Sequence, residues 1–168
     1  TPDSLVVDAM APALQRVRDL QATPIGVLVD TPIRRAGDME SPLGNLFADA
    51  LRDAIAGADV AINNNSRGGL RADLPAGPLT FGRLYDVFPF DNRLVRVTLA
   101  GDELRRVFAE EIRRKRRGSL GISGVLVKAG CGADGLDVEL FHATGRPIAA
   151  DERIVVVAMD SLVSGLMF

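Results

Sequence analysis

A short apolar run, Asp59–Asn63 (DVAIN), stops abruptly in three consecutive asparagines, and two adjacent glycines and an arginine follow at once (Asn63–Arg71, NNNSRGGLR). A β-branched run ended by residues that favour turns reads as a strand delivering a polar loop at the end of a sheet. The stretch continues through LPAGPLT to an aromatic, proline, aromatic step, Val87–Asn92 (VFPFDN). Gly68 and Gly69 lack a Cβ, so the backbone there can take positive φ and can be approached closely. Arg71 adds a guanidinium, planar and always charged, suited to oxygen anions. A plain Asn/Gly turn between two strands is the competing reading of the same residues.

Around this stretch the periodicities alternate irregularly. Leu5, Val6, Ala9, Met10, Ala13, Leu14, Val17 and Leu20 recur at helical spacing and predict a helix from about Ser4 to Leu20, kinked or split at Pro12. Its apolar stripe fits either a core face or a docking face. Ile25–Val29 predicts a strand, and Ser41 with Pro42 predicts an N-cap and first turn of a helix running to about Ala56. Leu84–Phe88 is read as extended, with Phe88 turned into the core. Arg93–Leu99 alternates as a strand, Asp102 caps a helix to about Arg117, and Val125–Ala129, Leu136–Phe141 and Ile154–Met159 complete the strands. Such an order predicts an α+β fold, a mixed sheet flanked by helices. At 168 residues and 47% hydrophobic content, residues 1–168 suit one domain with one core.

Composition removes several classes of function. Twenty basic against 22 acidic residues leave no global field to recruit nucleic acid or an acidic membrane. The RRKRR block at Arg113–Arg117 sits where a helix ends, where cations offset the dipole, and reads as a solvated turn. One cysteine, Cys131, allows no internal disulfide, and one histidine, His142, cannot assemble a Cys/His zinc site. Ser66 and Ser123 have no histidine beside them to activate a nucleophile. No run of 18 apolar residues exists, so no membrane-spanning segment is predicted, and no signal peptide stands at Thr1.

The order of five motifs resembles the C-terminal domain of the 5′-nucleotidase family of metallophosphoesterases. They are ESPLGNLFADA (Glu40–Ala50), N-x-x-G-G-L-R with its PFDN partner, LAGDEL (Leu99–Leu104), ISG (Ile122–Gly124) and IVVVAMDSLVSG (Ile154–Gly165). The resemblance implies that Asn65, Gly68, Gly69, Arg71, Phe90, Asn92 and Leu162 bind substrate. Arg71 would hold ribose or phosphate oxygens, with a surface ion pair to Asp73 as the alternative. Phe90 would stack on the nucleobase, with a core role as the alternative, and Asn63 and Asn64 compete with Asn65 for the family's asparagine. Tyr85 lies nearby without an assigned role. Leu162 stands where relatives carry a second stacking aromatic, Met39 where many carry an arginine, and the family's Gly-Gly-Asp-Gly is absent after Gly165.

No catalytic or metal-binding residue is expected in this chain. The family hydrolyses phosphate esters with two divalent metal ions held by an N-terminal metallophosphoesterase domain. The resemblance therefore implies a specificity-determining partner of that domain, inert alone, in a periplasmic, secreted or cell-surface nucleotidase acting on nucleoside monophosphates, nucleotide sugars or cyclic nucleotides. A degenerate module of the same fold, serving as an interaction domain, is the alternative.

Overall fold

The computed structural model describes residues 3–35, 41–65, 69–114, 120–132 and 135–166. In chain order the elements are α1 (Ser4–Ala22), β1 (Pro24–Val29), α2 (Pro42–Ala54), β2 (Val60–Asn64), β3 (Gly77–Thr80), α3 (Phe81–Val87) and β4 (Leu94–Ala100). Then follow α4 (Gly101–Arg113), β5 (Leu120–Ser123), β6 (Val125–Gly132), β7 (Gly135–His142), β8 (Arg153–Met159) and α5 (Asp160–Leu166).

The central sheet has the order β4-β8-β2-β5. β2 and β8 run parallel, while β4 and β5 flank them antiparallel, so the sheet is mixed as the sequence suggests. Side chains alternate across a strand, and the two faces of this sheet feed two cores. Val60, Ile62, Ile154 and Val156 face α4 and the β6–β7 hairpin, where Leu104, Phe108, Val138 and Leu140 complete the packing. Ala61, Val157 and Met159 face the other way, against Leu51 of α2. β8 is thus covered on both sides, which is why Ile154–Met159 is continuously apolar instead of alternating. A third cluster, built on Leu43, Leu70, Leu74, Leu79 and Val87, joins α2 to the small β1–β3 sheet and α3.

Several expectations change. Leu84–Phe88 is not extended: Phe81–Val87 forms a helix, with the Thr80 hydroxyl accepting the Arg83 N–H at its start. Two turns are too short for a periodicity to show in sequence. Asp102 does not cap α4. Ala100 is the N-cap, and Glu103 Oε2 accepts its backbone N–H at 2.7 Å. β3, β5 and α5 had no counterpart in the periodicities.

α1 is one 19-residue helix with Pro12 inside it, and none of its residues is buried. The core-face reading of its stripe fails, because the helix meets the domain mainly through α3 near its C-terminal end, where Gln21 abuts Gly82. Among the described residues, no helix is long and apolar enough to cross a membrane. Of the basic block, Arg114 pairs with Glu110 at 2.6 Å and Glu111 at 3.3 Å, which is the solvated helix end expected; residues 115–117 lie outside the described residues.

The lone histidine takes part in a surface cluster. Glu152 accepts from Arg146 Nη2 at 2.7 Å and from the Ala149 N–H at 3.2 Å, and it lies 2.8 Å from His142 Nε2. The Arg146 hydrogen bond above all, helped by Ala149 and His142, outweighs desolvation and lowers the Glu152 carboxyl from 4.5 to about 2. A depressed folded-state pKa stabilises above the unfolded value and is lost as pH falls through the folded one. Denaturation midpoints should therefore fall between pH 4.5 and 2, and Glu152→Gln should flatten that part of the profile. An unchanged slope in the variant, measured at low salt, removes Glu152 as the cause.

Candidate functional site

Two connections meet at one end of the central sheet. The first leaves β2 at Asn64 and returns through Gly69, Leu70 and Arg71; the second leaves α3 at Val87 and passes through Phe88, Pro89 and Phe90 to β4. A backbone hydrogen bond, Arg71 N–H to Val87 carbonyl at 2.8 Å, ties them together. The Arg71 guanidinium carbon consequently sits 5.0 Å from the centroid of the Phe90 ring, a cation–π distance. Arg71 is exposed and Phe90 half-buried, so both present surface to solvent. Asp73 is not the partner of Arg71; its carboxylate accepts the Arg35 backbone N–H at 2.8 Å.

Phe90 continues a row of rings. Phe88 meets it edge-on at 5.3 Å and Phe47 of α2 at 5.4 Å. Phe88 is half-buried, packed between two of the core clusters, which agrees with its expected inward direction. The row walls a pocket of about 730 Å³ that also takes in Leu46, Phe81 and Tyr85. The lining is almost wholly apolar, with Asp91 its one charged member among the described residues. Such a volume lies within the range of small-molecule sites, roughly 300–1,000 Å³.

The remaining sequence-derived residues fall in different places. Gly69 has no positive φ; it must be glycine because an added Cβ would lie 1.8 Å from the Asn64 carbonyl oxygen. Gly68 lies outside the described residues, as do Met39 and Glu40. Asn92 is half-buried and directs Nδ2 to Met159 Sδ at 3.4 Å. Asn65 is 7% exposed and Asn63 fully buried, with Asn63 Nδ2 donating to Asn65 Oδ1 at 3.4 Å. Leu162 is placed by α5 against the α4-side core, whereas Phe88 beside Phe90 packs on the α2 side. The structure thus joins Arg71 to Phe90 and sets Leu162, half-buried, against the α4-side cluster.

Sequence reasoning missed Phe47 and Phe81, and it missed Arg35, whose Nη1 donates to the Leu70 carbonyl at 3.2 Å beside Arg71. The available signal for Phe47 was its spacing, four residues after Leu43 and four before Leu51, which puts it on the apolar stripe of α2. Among the described residues, no group of three or more His, Cys, Asp or Glu is placed to hold a metal ion.

A mixed sheet covered by helices, with an arginine and an aromatic wall at the end of its parallel pair, defines an α+β domain with an open, ligand-sized face. The chain belongs to the 5′-nucleotidase C-terminal domain family, whose model matches residues 16–165. Among solved structures it is similar to a 5′-nucleotidase precursor from Thermus thermophilus, with TM-score 0.73 and 27% identity, covering 97% of this chain and 34% of that one. It shares its fold with the NAD nucleotidase of Haemophilus influenzae, with TM-score 0.71 and 22% identity, covering 97% and 33% of the two chains. Two curated proteins of Bacillus subtilis (strain 168) match as well. Endonuclease YhcR is 40% identical over 77 residues, 46% of this chain and 6% of its own length. The trifunctional nucleotide phosphoesterase protein YfkN is 28% identical over 115 residues, 67% of this chain and 8% of its own. The chain therefore spans about a third of its solved relatives and less than a tenth of these curated ones.

Proposed function

We propose that this domain recognises nucleotides for a 5′-nucleotidase-like phosphoesterase, with Arg71 as the anion contact and Phe90 as the stacking surface. The observation that carries the reading is the Arg71 guanidinium lying over the Phe90 ring while that ring also walls the apolar pocket. A nucleotide has a flat apolar base and an oxyanion a short distance apart, and this pair of side chains offers one partner for each. Gly69 shapes the loop that presents Arg71, and Asn92 offers an amide at the foot of β4. Hydrolysis itself is assigned to two divalent metal ions held by a metallophosphoesterase domain elsewhere in the polypeptide, where they would polarise the phosphoryl oxygens. This chain's share is to bind and orient. The location proposed from the same family reading is periplasmic, secreted or cell-surface.

Calorimetric titration of the domain with adenosine monophosphate tests the proposal. Saturable binding is expected. Arg71→Ala should weaken it by about 1.5–3 kcal/mol, the scale of a hydrogen bond to a charged group. Phe90→Ala should cost about 1–3 kcal/mol, the scale of one base stacked on a ring. Binding that neither substitution weakens, or no binding at millimolar nucleotide, favours the alternative of an interaction module that has kept the fold alone.

A further inference from the structure

Arg71 takes one side of the Phe90 ring and the apolar pocket takes another. The guanidinium carbon lies 5.0 Å from the ring centroid, yet Arg71 is not among the described residues that line the pocket, whereas Phe90 and its neighbour Asp91 both are. A nucleobase stacked on Phe90 without displacing Arg71 therefore enters the pocket and comes alongside Asp91. The walls there are rings and aliphatic side chains, and the Tyr85 hydroxyl and the Asp91 carboxylate are the polar side-chain groups among the described lining residues. Asp91 makes no hydrogen bond or ion pair with any described residue, so its acceptor oxygens are open to a ligand.

Such a wall tells bases apart by their donors. A carboxylate accepts hydrogen bonds and donates none, and its paired oxygens suit adjacent N–H groups. Guanine carries such a pair on one edge, N1–H beside the exocyclic amino group. Adenine and cytosine set their amino donor beside a ring-nitrogen acceptor, and uracil sets its N–H between carbonyls, so each would turn an acceptor toward a carboxylate oxygen. Discrimination of this kind is steep, because a base lacking the second donor leaves a desolvated oxygen without a partner. We propose that Asp91 is the base-reading residue of this domain: with the base stacked on Phe90 inside the pocket, its carboxylate accepts from N1–H and the exocyclic amino group and selects guanine nucleotides. The proposal rests on the nucleotide-binding reading of Arg71 and Phe90 and adds to it which base is preferred.

Calorimetric titration of the domain with the monophosphates of guanosine, inosine, adenosine, cytidine and uridine tests it. Guanosine monophosphate is expected to bind about tenfold tighter than adenosine monophosphate, the scale of one hydrogen bond to a charged group. Inosine monophosphate, which keeps N1–H and lacks the amino group, should fall between the two. Asp91→Asn should invert the order, because an amide sets a donor beside an acceptor and so matches the amino group and ring nitrogen of adenine. Guanosine monophosphate should then weaken about tenfold while adenosine monophosphate gains. Asp91 is exposed, so the substitution leaves the fold intact. Saturable binding of all the nucleotides within about twofold of one another, or an order that Asp91→Asn leaves unchanged, overturns the base-reading role and leaves nucleotide binding standing. Failure of every nucleotide to bind overturns both.

Discussion

Gly44→Ala should unfold this domain more readily than any conservative surface change, with an expected loss of about 3–5 kcal/mol, at the severe end for a single substitution. The new methyl would stand 2.1 Å from Asn65 Oδ1, well inside van der Waals contact. The amide cannot retreat, because Gly121 closes in on the same Oδ1 and Asn65 is 7% exposed. α2 would have to lift away from β2 and β5, the strands it packs against most closely, and domains of this size have only about 5–15 kcal/mol in total. Gly130→Ala is the matched control, since a Cβ there meets nothing within 4 Å and the residue lies in β6. It should stay within about 0.5 kcal/mol of the parent. Urea denaturation compares the three proteins, and equal midpoints for the two variants would refute the close packing of Gly44 against the Asn65 amide.

Leu104→Ala is expected to cost about 2–5 kcal/mol, through lost transfer energy and the cavity left behind. Leu104 is fully buried on α4, where it packs in one cluster with Phe108, Ile148, Ile154 and Val60. The cluster draws on α4, the β6–β7 hairpin and the central sheet at once, so its members are held from several directions and can collapse little into the void. Denaturation midpoint should fall with little change in the dependence on urea concentration, because the cavity alters stability and not the surface exposed on unfolding. A loss below about 1 kcal/mol, less than the usual cost of such a truncation, would show that α4 relaxes to fill the space. The nucleotide affinity proposed above for Arg71 should be unaffected by this change while the domain remains folded, because the aromatic row beside Arg71 packs on the α2 side of the sheet.

How much of this was legible beforehand depended on whether the signal was local. The central place of β8 was, because that strand is apolar along its whole length. The start of α2 was, because a Ser-Pro pair is a cap whose chemistry is complete within one turn. So was the order of family motifs, and with it the convergence of Arg71 and Phe90. α3 was not, since two turns carry no periodicity, and β5 was not, since four residues carry none either. For α1 the stripe was legible but its surroundings were not: amphipathic spacing says that a helix has an apolar face, not what covers that face.

Asn65 shows where the boundary lies. Its residue type gives no hint that its amide packs on Gly44 and Gly121, which are distant in the chain. Leu162, matched to a stacking aromatic, is half-buried and packs against the α4-side cluster, a placement no local pattern gives. The amino-acid order by itself determined the family and the mixed α+β architecture, because these follow from periodicity, turn chemistry and motif order along the chain. Tertiary structure alone decided which polar residues face solvent and which are sealed, because burial is set by what the rest of the chain brings alongside, and no local pattern encodes that.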